Sequence, residues 1–316
     1  MVERHESASG ERAPSRTALT AALMRAVHTR RDRPRAIDDP WGDRLVSREE
    51  KAALYRRVLD GASAETRARL ESLGSEQAAI DAALRAHPTY GGVVLRSRWA
   101  EDALERAVAR GARQYVLVGA GFDSFIVRQP PYARDVGIFE VDHPASQALK
   151  RARLAEAGAD VPANVRFVAA DLARESLADA LGRSGFARSV PAFFSWLGVT
   201  IYLTRAANLA TLRAIAEASA PGSEVAFTYA DERALAGPGF AALARTRAKL
   251  AAAGEPWRSG FDPSALADEL RPLGLSLVED LDREAIRARL AAEIPHGLSP
   301  GPNGHFARAR VLPKLA

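Results

Sequence analysis

The sequence predicts an α/β protein with a doubly wound sheet, preceded by a purely helical segment, and three observations carry that prediction. Strand and helix patterns alternate for about 200 residues beyond Val93. A short apolar run, Tyr115–Val118, breaks abruptly at Gly119-Ala120-Gly121, as a buried parallel strand does on entering a tight turn. Three successive strand ends carry a carboxylate, Asp123, Asp142 and Asp171. Ligands in open α/β sheets lie across the carboxyl ends of strands, so the three point to one elongated molecule.

The elements follow in order. Residues 1–14 read as a polar tail, and Arg16–Thr29 as an amphipathic helix through Leu19, Ala22, Leu23, Ala26 and Val27. Arg30–Pro40 is a charged, proline-bounded connection whose arginines can face solvent or an anionic ligand. Helical patterns return at Ser47–Leu59 and Ala64–Ala86; Tyr90–Gly92 reads as a turn and Val93–Gly111 as a helix with Trp99, Leu104, Ala107 and Val108 inward. Strands are predicted at Val136–Val141, Asn164–Ala169, Val190–Phe194, Glu224–Tyr229, Leu275–Glu279 and near His305–Leu312, the last as an antiparallel edge strand. Helices are predicted at Ala145–Ala157, Leu177–Leu181, Thr204–Ser219, Asp231–Ala253, Pro263–Leu270 and Arg283–Ile294. This divides one compact unit into a tail and helical lid, residues 1–92, and a sheet core, residues 93–316.

Composition narrows the chemistry. The chain has 316 residues, 47% of them apolar, and no cysteine, which removes disulfides, thiolate metal sites and cysteine nucleophiles together. A net charge of +5 comes from arginines dispersed near acidic residues, with no basic stripe interleaved with aromatics, so no nucleic-acid partner is expected. No apolar run is long enough to span a bilayer and the first residues do not form a signal peptide, so a cytoplasmic protein with no membrane partner is expected. The six histidines form no metal-binding or triad spacing.

The glycine turn then discriminates between ligands. A dinucleotide loop continues to a third small residue that opens a helix under a pyrophosphate, but here Asp123 stands in the loop. A carboxylate there disfavours pyrophosphate and favours a cation, so the loop leans toward S-adenosylmethionine. Gly119 and Gly121 let a ligand approach the backbone. Asp142, 21 residues beyond Gly121, is placed to accept both ribose hydroxyls, or to cap the helix that starts at Pro144. Asp171 can accept from an adenine amino group with the Leu172 backbone as donor, or can cap a turn; Glu140 alternates to the other face.

The stretches VLVGAGFDS, FEVDHP, AADL and FFSWLGVTIYLT, with RSRWAEDAL before them and GPNGHFARARV at the end, resemble the leucine carboxyl methyltransferase superfamily, and more closely its bacterial branch of S-adenosylmethionine-dependent proteins. The resemblance spans about residues 16–312. It implies a class I methyltransferase fold (Rossmann-like), with an antiparallel edge strand and an N-terminal helical lid. By motif position it implies Gly119 as the loop glycine, Asp142 as the ribose acid, Asp171-Leu172 at the adenine, and Arg96 of the RSR element on the cofactor's carboxylate.

One departure matters. Eukaryotic members carry a glutamate after the fourth strand where this chain has Ser195-Trp196-Leu197, so Trp196 is either an aromatic wall beside the sulfonium or a core residue. Gln129-Pro130-Pro131-Tyr132 resembles an amino-methylating signature but stands in the wrong interval of the chain. The expected activity is O-methyl transfer to a small or peptide-like acceptor, a carboxylate foremost, because an ionised carboxylate needs no base. A hydroxyl acceptor requires one, for which His143, the histidine expected nearest the cleft, or an acid from the lid would have to serve. Alternatives are an NAD(P)-dependent oxidoreductase and a non-catalytic nucleotide-binding protein. A lid over residues 16–40 is expected to close over the ligands without being needed by the sheet.

Overall fold

The computed structural model of the chain describes residues 15–233, 256–290, 298–301 and 303–313. The expected polar tail, nearly all of the helix Asp231–Ala253 and the end of Arg283–Ile294 lie outside them.

Six helices come first: α1 (Arg16–Arg31), α2 (Gly42–Leu45), α3 (Arg48–Asp60), α4 (Ala64–Glu71), α5 (Glu76–Arg85) and α6 (Tyr90–Ala109). The continuous helix expected over Ala64–Ala86 is two, because Ser75 starts a new one by accepting the Ala78 N–H with its side chain. Tyr90–Gly92 is the first turn of α6 and no loop. A β-carbon on Gly91 would lie 2.0 Å from the Ser299 carbonyl oxygen, so that glycine serves a close chain crossing.

The sheet follows as β1 (Gln114–Val118), α7 (Phe125–Arg128), β2 (Gly137–Asp142), α8 (Pro144–Glu156), β3 (Val165–Ala169), α9 (Leu177–Gly182), β4 (Ala192–Trp196), α10 (Arg205–Ala218), β5 (Glu224–Ala230), α11 (Leu266–Leu270), β6 (Leu275–Leu281), α12 (Arg283–Leu290) and β7 (Gly304–Val311). Strand order is β3-β2-β1-β4-β5-β7-β6. The first five strands are parallel, and β7 runs antiparallel to both β5 and β6. The expected antiparallel strand is thus present, one place in from the edge that β6 forms.

Period-two alternation sends Tyr115 and Leu117 into one apolar cluster and Val116 and Val118 into another on the opposite face. Burial on both faces explains why β1, β4 and β5 read as mainly apolar rather than alternating. The first cluster also takes in Leu23, Met24 and Val27 of α1, each at most 2% exposed. The N-terminal helices therefore share the core of the sheet, contrary to the expectation that the sheet does not need them. Among the described residues no helix is long and apolar enough to cross a membrane.

Candidate active site

The glycine turn is held open by its own backbone. Gly119 and Gly121 adopt φ of +67° and +51°, a region that favours glycine, and the Gly119 and Ala120 N–H groups donate to the Val141 carbonyl at the end of β2. A β-carbon on Gly119 would meet Val199 at 2.9 Å, and one on Gly121 would meet Ala18 of α1 at 3.1 Å. The turn is thus pressed between the β4 loop and the first helix.

Asp142 ends β2, and its two oxygens accept from Gly121 N–H at 2.5 Å and His143 N–H at 2.6 Å. A carboxylate offers about four acceptor directions, so two remain for vicinal hydroxyls. The competing role as cap of α8 belongs to His143, whose Nδ1 accepts the Ala145 N–H. His143 does not line the main cavity.

Next along the crest, Ala170 N–H donates to the Asp142 carbonyl, which places Asp171 beside the end of β2. The Asp171 carboxylate accepts from Ala173 N–H at 3.1 Å, while Arg174 N–H and Glu175 N–H return to its carbonyl. The capping role weighed for Asp171 is therefore real; its outer oxygen pairs only with the exposed Arg174 guanidinium at 3.4 Å, and the Leu172 N–H is left out of that turn. Leu172 is 36% exposed, one of few large apolar residues so exposed among the described residues, as a cover for a flat ring requires.

Asp123 accepts the Phe125 N–H at 2.7 Å and lies near Arg96. Arg96 of α6 makes no hydrogen bond or ion pair with the described residues. Burial, with the like charge of Arg25, lowers its pKa to about 10, so it still carries its charge at neutral pH. Gly198 at the end of β4 (φ +70°) is what admits it: a β-carbon there would stand 2.5 Å from the guanidinium. A charged fork without a protein carboxylate can receive one from a ligand.

Beyond Arg96 opens a cavity of about 510 Å³. The N-terminal helical segment, the cap, forms one wall through Thr20, Met24, Leu84 and His87; the other comes from Ile201, Tyr202, Tyr229, Trp257, His305 and Phe306. Gly119, Gly121, Asp142, Asp171 and Leu172 lie outside this lining, so the cavity is a second compartment that meets the crest at Arg96 and Gly198. Arg16 and Arg57 reach it from the cap.

The arginines of the Arg30–Pro40 connection are engaged elsewhere. Arg30 and Arg31 pair with Asp81, and Arg33 and Arg35 donate to the Thr29 carbonyl. Asp39 is fully buried between Arg25 and Arg128, and Arg25 also donates to the Phe122 carbonyl in the glycine turn at 2.8 Å.

Trp196 is fully buried in the second apolar cluster and does not line the cavity, so it is a core residue and no wall beside a sulfonium. Glu140 also faces away, into an enclosed pair with Lys150 at 2.5 Å; burial pushes its carboxyl up to about 7 against the pull of that lysine. Gln129-Pro130-Pro131-Tyr132 is a loop and short helical turn between β1 and β2. Missing from the sequence reading were His87, His305 and Tyr229, which become neighbours only through chain crossings; the one signal was His305 inside the GPNGHFARARV stretch.

A seven-stranded sheet with a reversed penultimate strand, a glycine turn backed by a strand-end aspartate and an unpaired arginine define a class I, S-adenosylmethionine-dependent methyltransferase. The chain belongs to the leucine carboxyl methyltransferase family, whose model matches residues 18–216. It is 31% identical over 299 residues to YktD of Bacillus subtilis, a protein named as an inferred S-adenosyl-L-methionine-dependent methyltransferase, across 93% of this chain and 97% of that one. A similarly named protein of Mycolicibacterium smegmatis is 34% identical over 220 residues, covering 70% and 68% of the two chains. Among solved structures, a methyltransferase-like protein of Thermobifida fusca shares the fold with a TM-score of 0.53 at 22% identity, over 75% of this chain and 88% of that one. The enzyme uses S-adenosylmethionine, which removes the oxidoreductase and non-catalytic alternatives.

Proposed function

We propose that the enzyme methylates an oxygen of a small, largely apolar acceptor, a carboxylate or a hydroxyl, seated in the cavity beyond Arg96. The observation that carries this reading is that cavity: of ligand size, lined largely by apolar side chains, and bordered by Arg96 and Gly198. In the same reading Asp142 holds the cofactor's ribose, Asp171 and Leu172 its adenine, the Gly119–Gly121 turn its backbone-facing edge and Arg96 its carboxylate. Residues 1–92 act as cap and 93–316 as cofactor core.

S-adenosylmethionine supplies a methyl group on a positively charged sulfur. The chain's own work is positioning and exclusion of water. Arg96 and Asp142 fix two points of the cofactor, and the cap helices α1, α3 and α5 roof the acceptor, so that attacking oxygen and methyl are held in line out of solvent.

Titration calorimetry with S-adenosylmethionine, followed by transfer of labelled methyl into a set of apolar carboxylic acids and phenols, tests the reading. An alkali-labile product is a methyl ester and an alkali-stable one a methyl ether. Label appearing only on nitrogen or carbon would sink it.

A further inference from the structure

We propose that His305, oriented by Asp280, is the general base of the reaction, which makes the acceptor a phenol in preference to a carboxylic acid; this rests on the oxygen-methylation reading above. His305 stands at the start of β7 in register with Tyr229 of β5, and both side chains line the acceptor cavity. Their rings stack with centroids 4.9 Å apart and planes 26° from parallel. Asp280 of β6 serves both from behind: one oxygen lies 3.1 Å from His305 Nδ1 and the other accepts the Tyr229 hydroxyl at 2.7 Å.

This arrangement fixes a tautomer. A carboxylate only accepts, so the Asp280 contact selects the His305 form with its proton on Nδ1, leaving a lone pair on Nε2. Nε2 has no hydrogen bond to a described residue, and the ring lines the cavity. Burial and Asp280 both raise the Tyr229 hydroxyl's pKa, so it stays a donor to Asp280 and does not compete as a base. An imidazole held by a carboxylate on its far nitrogen is the arrangement by which enzymes take a proton from an oxygen nucleophile.

Among the described residues, the other ionisable side chains lining the cavity do not fill the role. Arg16, Arg57 and Arg96 are cations, and Tyr202 is a phenol itself. His87 is kept neutral by burial, but its Nδ1 already accepts the Thr89 N–H and contacts the Thr89 hydroxyl. A carboxylate acceptor would need no base at all, so a dyad in its cavity would be idle. The aromatic wall of Tyr229, Trp257 and Phe306 suits a ring, and imidazole is matched to a phenol far better than to an aliphatic alcohol. In the step, the phenol proton passes to His305 Nε2 as the oxygen's electron pair forms the new O–CH3 bond. The methyl–sulfur bond breaks with its electrons remaining on sulfur, leaving a neutral thioether, and the imidazolium releases its proton to solvent.

The test has two arms. In nitrogen NMR of the full chain without cofactor, His305 should show the Nδ1-protonated tautomer at neutral pH, and Asp280→Asn should lose it. With S-adenosylhomocysteine bound, so that no transfer follows, 4-nitrophenol should bind and show phenolate absorbance at a pH where the free phenol is neutral. His305→Gln should bind it within about threefold while losing that absorbance, and should lower kcat for any phenol turned over by about 100-fold or more with little change in KM. An Nε2-protonated tautomer, an equal phenolate fraction in His305→Gln, absence of 4-nitrophenol binding, or a methyl ester as the product each overturns the proposal. The ester would leave the broader reading standing, whereas failure to bind S-adenosylhomocysteine would remove both.

Discussion

The crest over β1 and β2 and the cavity under the cap are neighbours built on opposite principles. On the crest the turn glycines and the carboxylates come from residues 119–172, each at or just past a strand end, and backbone donors already fix the carboxylates: Asp142 by Gly121 and His143, Asp171 by Ala173. The cavity draws its walls from segments as far apart as Thr17 and Phe306, and no local motif makes it. One site is therefore as robust as a strand end. The other exists only while several helices and the strands β5 and β7 stay assembled.

The contrast is broken most severely by removing residues 1–40. Leu23, Met24 and Val27 alone are worth about 1.5–3 kcal/mol each when buried, which together matches much of a domain's whole stability. The truncated chain is expected to lose cooperative unfolding in circular dichroism; retention of a folded sheet would show the two regions to be separable after all.

Asp39→Ala comes next, because it leaves the buried Arg25 without its carboxylate while Arg128 keeps Glu101, at a cost of about 3–5 kcal/mol in urea unfolding. Burial by itself would raise the Asp39 carboxyl, but the charges of Arg25 and Arg128 and the hydrogen bond from Arg25 hold it below the ordinary value. The sign follows: a lowered folded pKa stabilises above the ordinary aspartate value of 3.8 and ceases to as pH falls below it. The wild-type chain should thus lose stability in acid where Asp39→Asn shows a flatter profile. Equal slopes would sink that account.

On the crest the effects are smaller and confined to binding. Asp142→Ala should weaken S-adenosylmethionine by about 1.5–3 kcal/mol in calorimetry with unfolding unchanged within about 1 kcal/mol, since the loss is of hydrogen bonds to a charged group. Unchanged affinity would reduce Asp142 to a brace for Gly121. Asp171 sharpens the comparison at its weakest point: Asp171→Asn should cost about 0.5 kcal/mol of affinity and Asp171→Ala about 1, because the amide keeps one acceptor. Identical affinity in all three forms would leave only the turn that Asp171 caps.

The same contrast governs what was legible in the sequence. The run Tyr115–Val118, the Gly119–Gly121 turn and the carboxylates at 142 and 171 are local signals, and the doubly wound sheet and its antiparallel last strand followed from the alternating pattern and from the family resemblance. Trp196 was ambiguous because a buried and a ligand-facing aromatic look alike in a strand whose two faces are both apolar. His305 was invisible as a base because its partner Asp280 lies 25 residues away on an adjoining strand, and no spacing rule links them. The arginines of the Arg30–Pro40 connection misled for the opposite reason: Arg30 and Arg31 find a remote acidic partner in Asp81, and Arg33 and Arg35 turn back to the Thr29 carbonyl.

Helix α1 touches both compartments. Ala18 backs Gly121 and Arg25 holds the Phe122 carbonyl, while Thr17, Thr20, Ala21 and Met24 of the same helix line the cavity. A ligand that shifts this rod by a fraction of an ångström in one compartment alters the free energy of occupancy in the other, and linkage makes the two changes equal. Heterotropic coupling is the expected result: S-adenosylhomocysteine should change the affinity for a bound phenol by the same factor by which the phenol changes that for S-adenosylhomocysteine. The factor should fall toward one in Arg25→Met, where the rod is no longer tied to the turn.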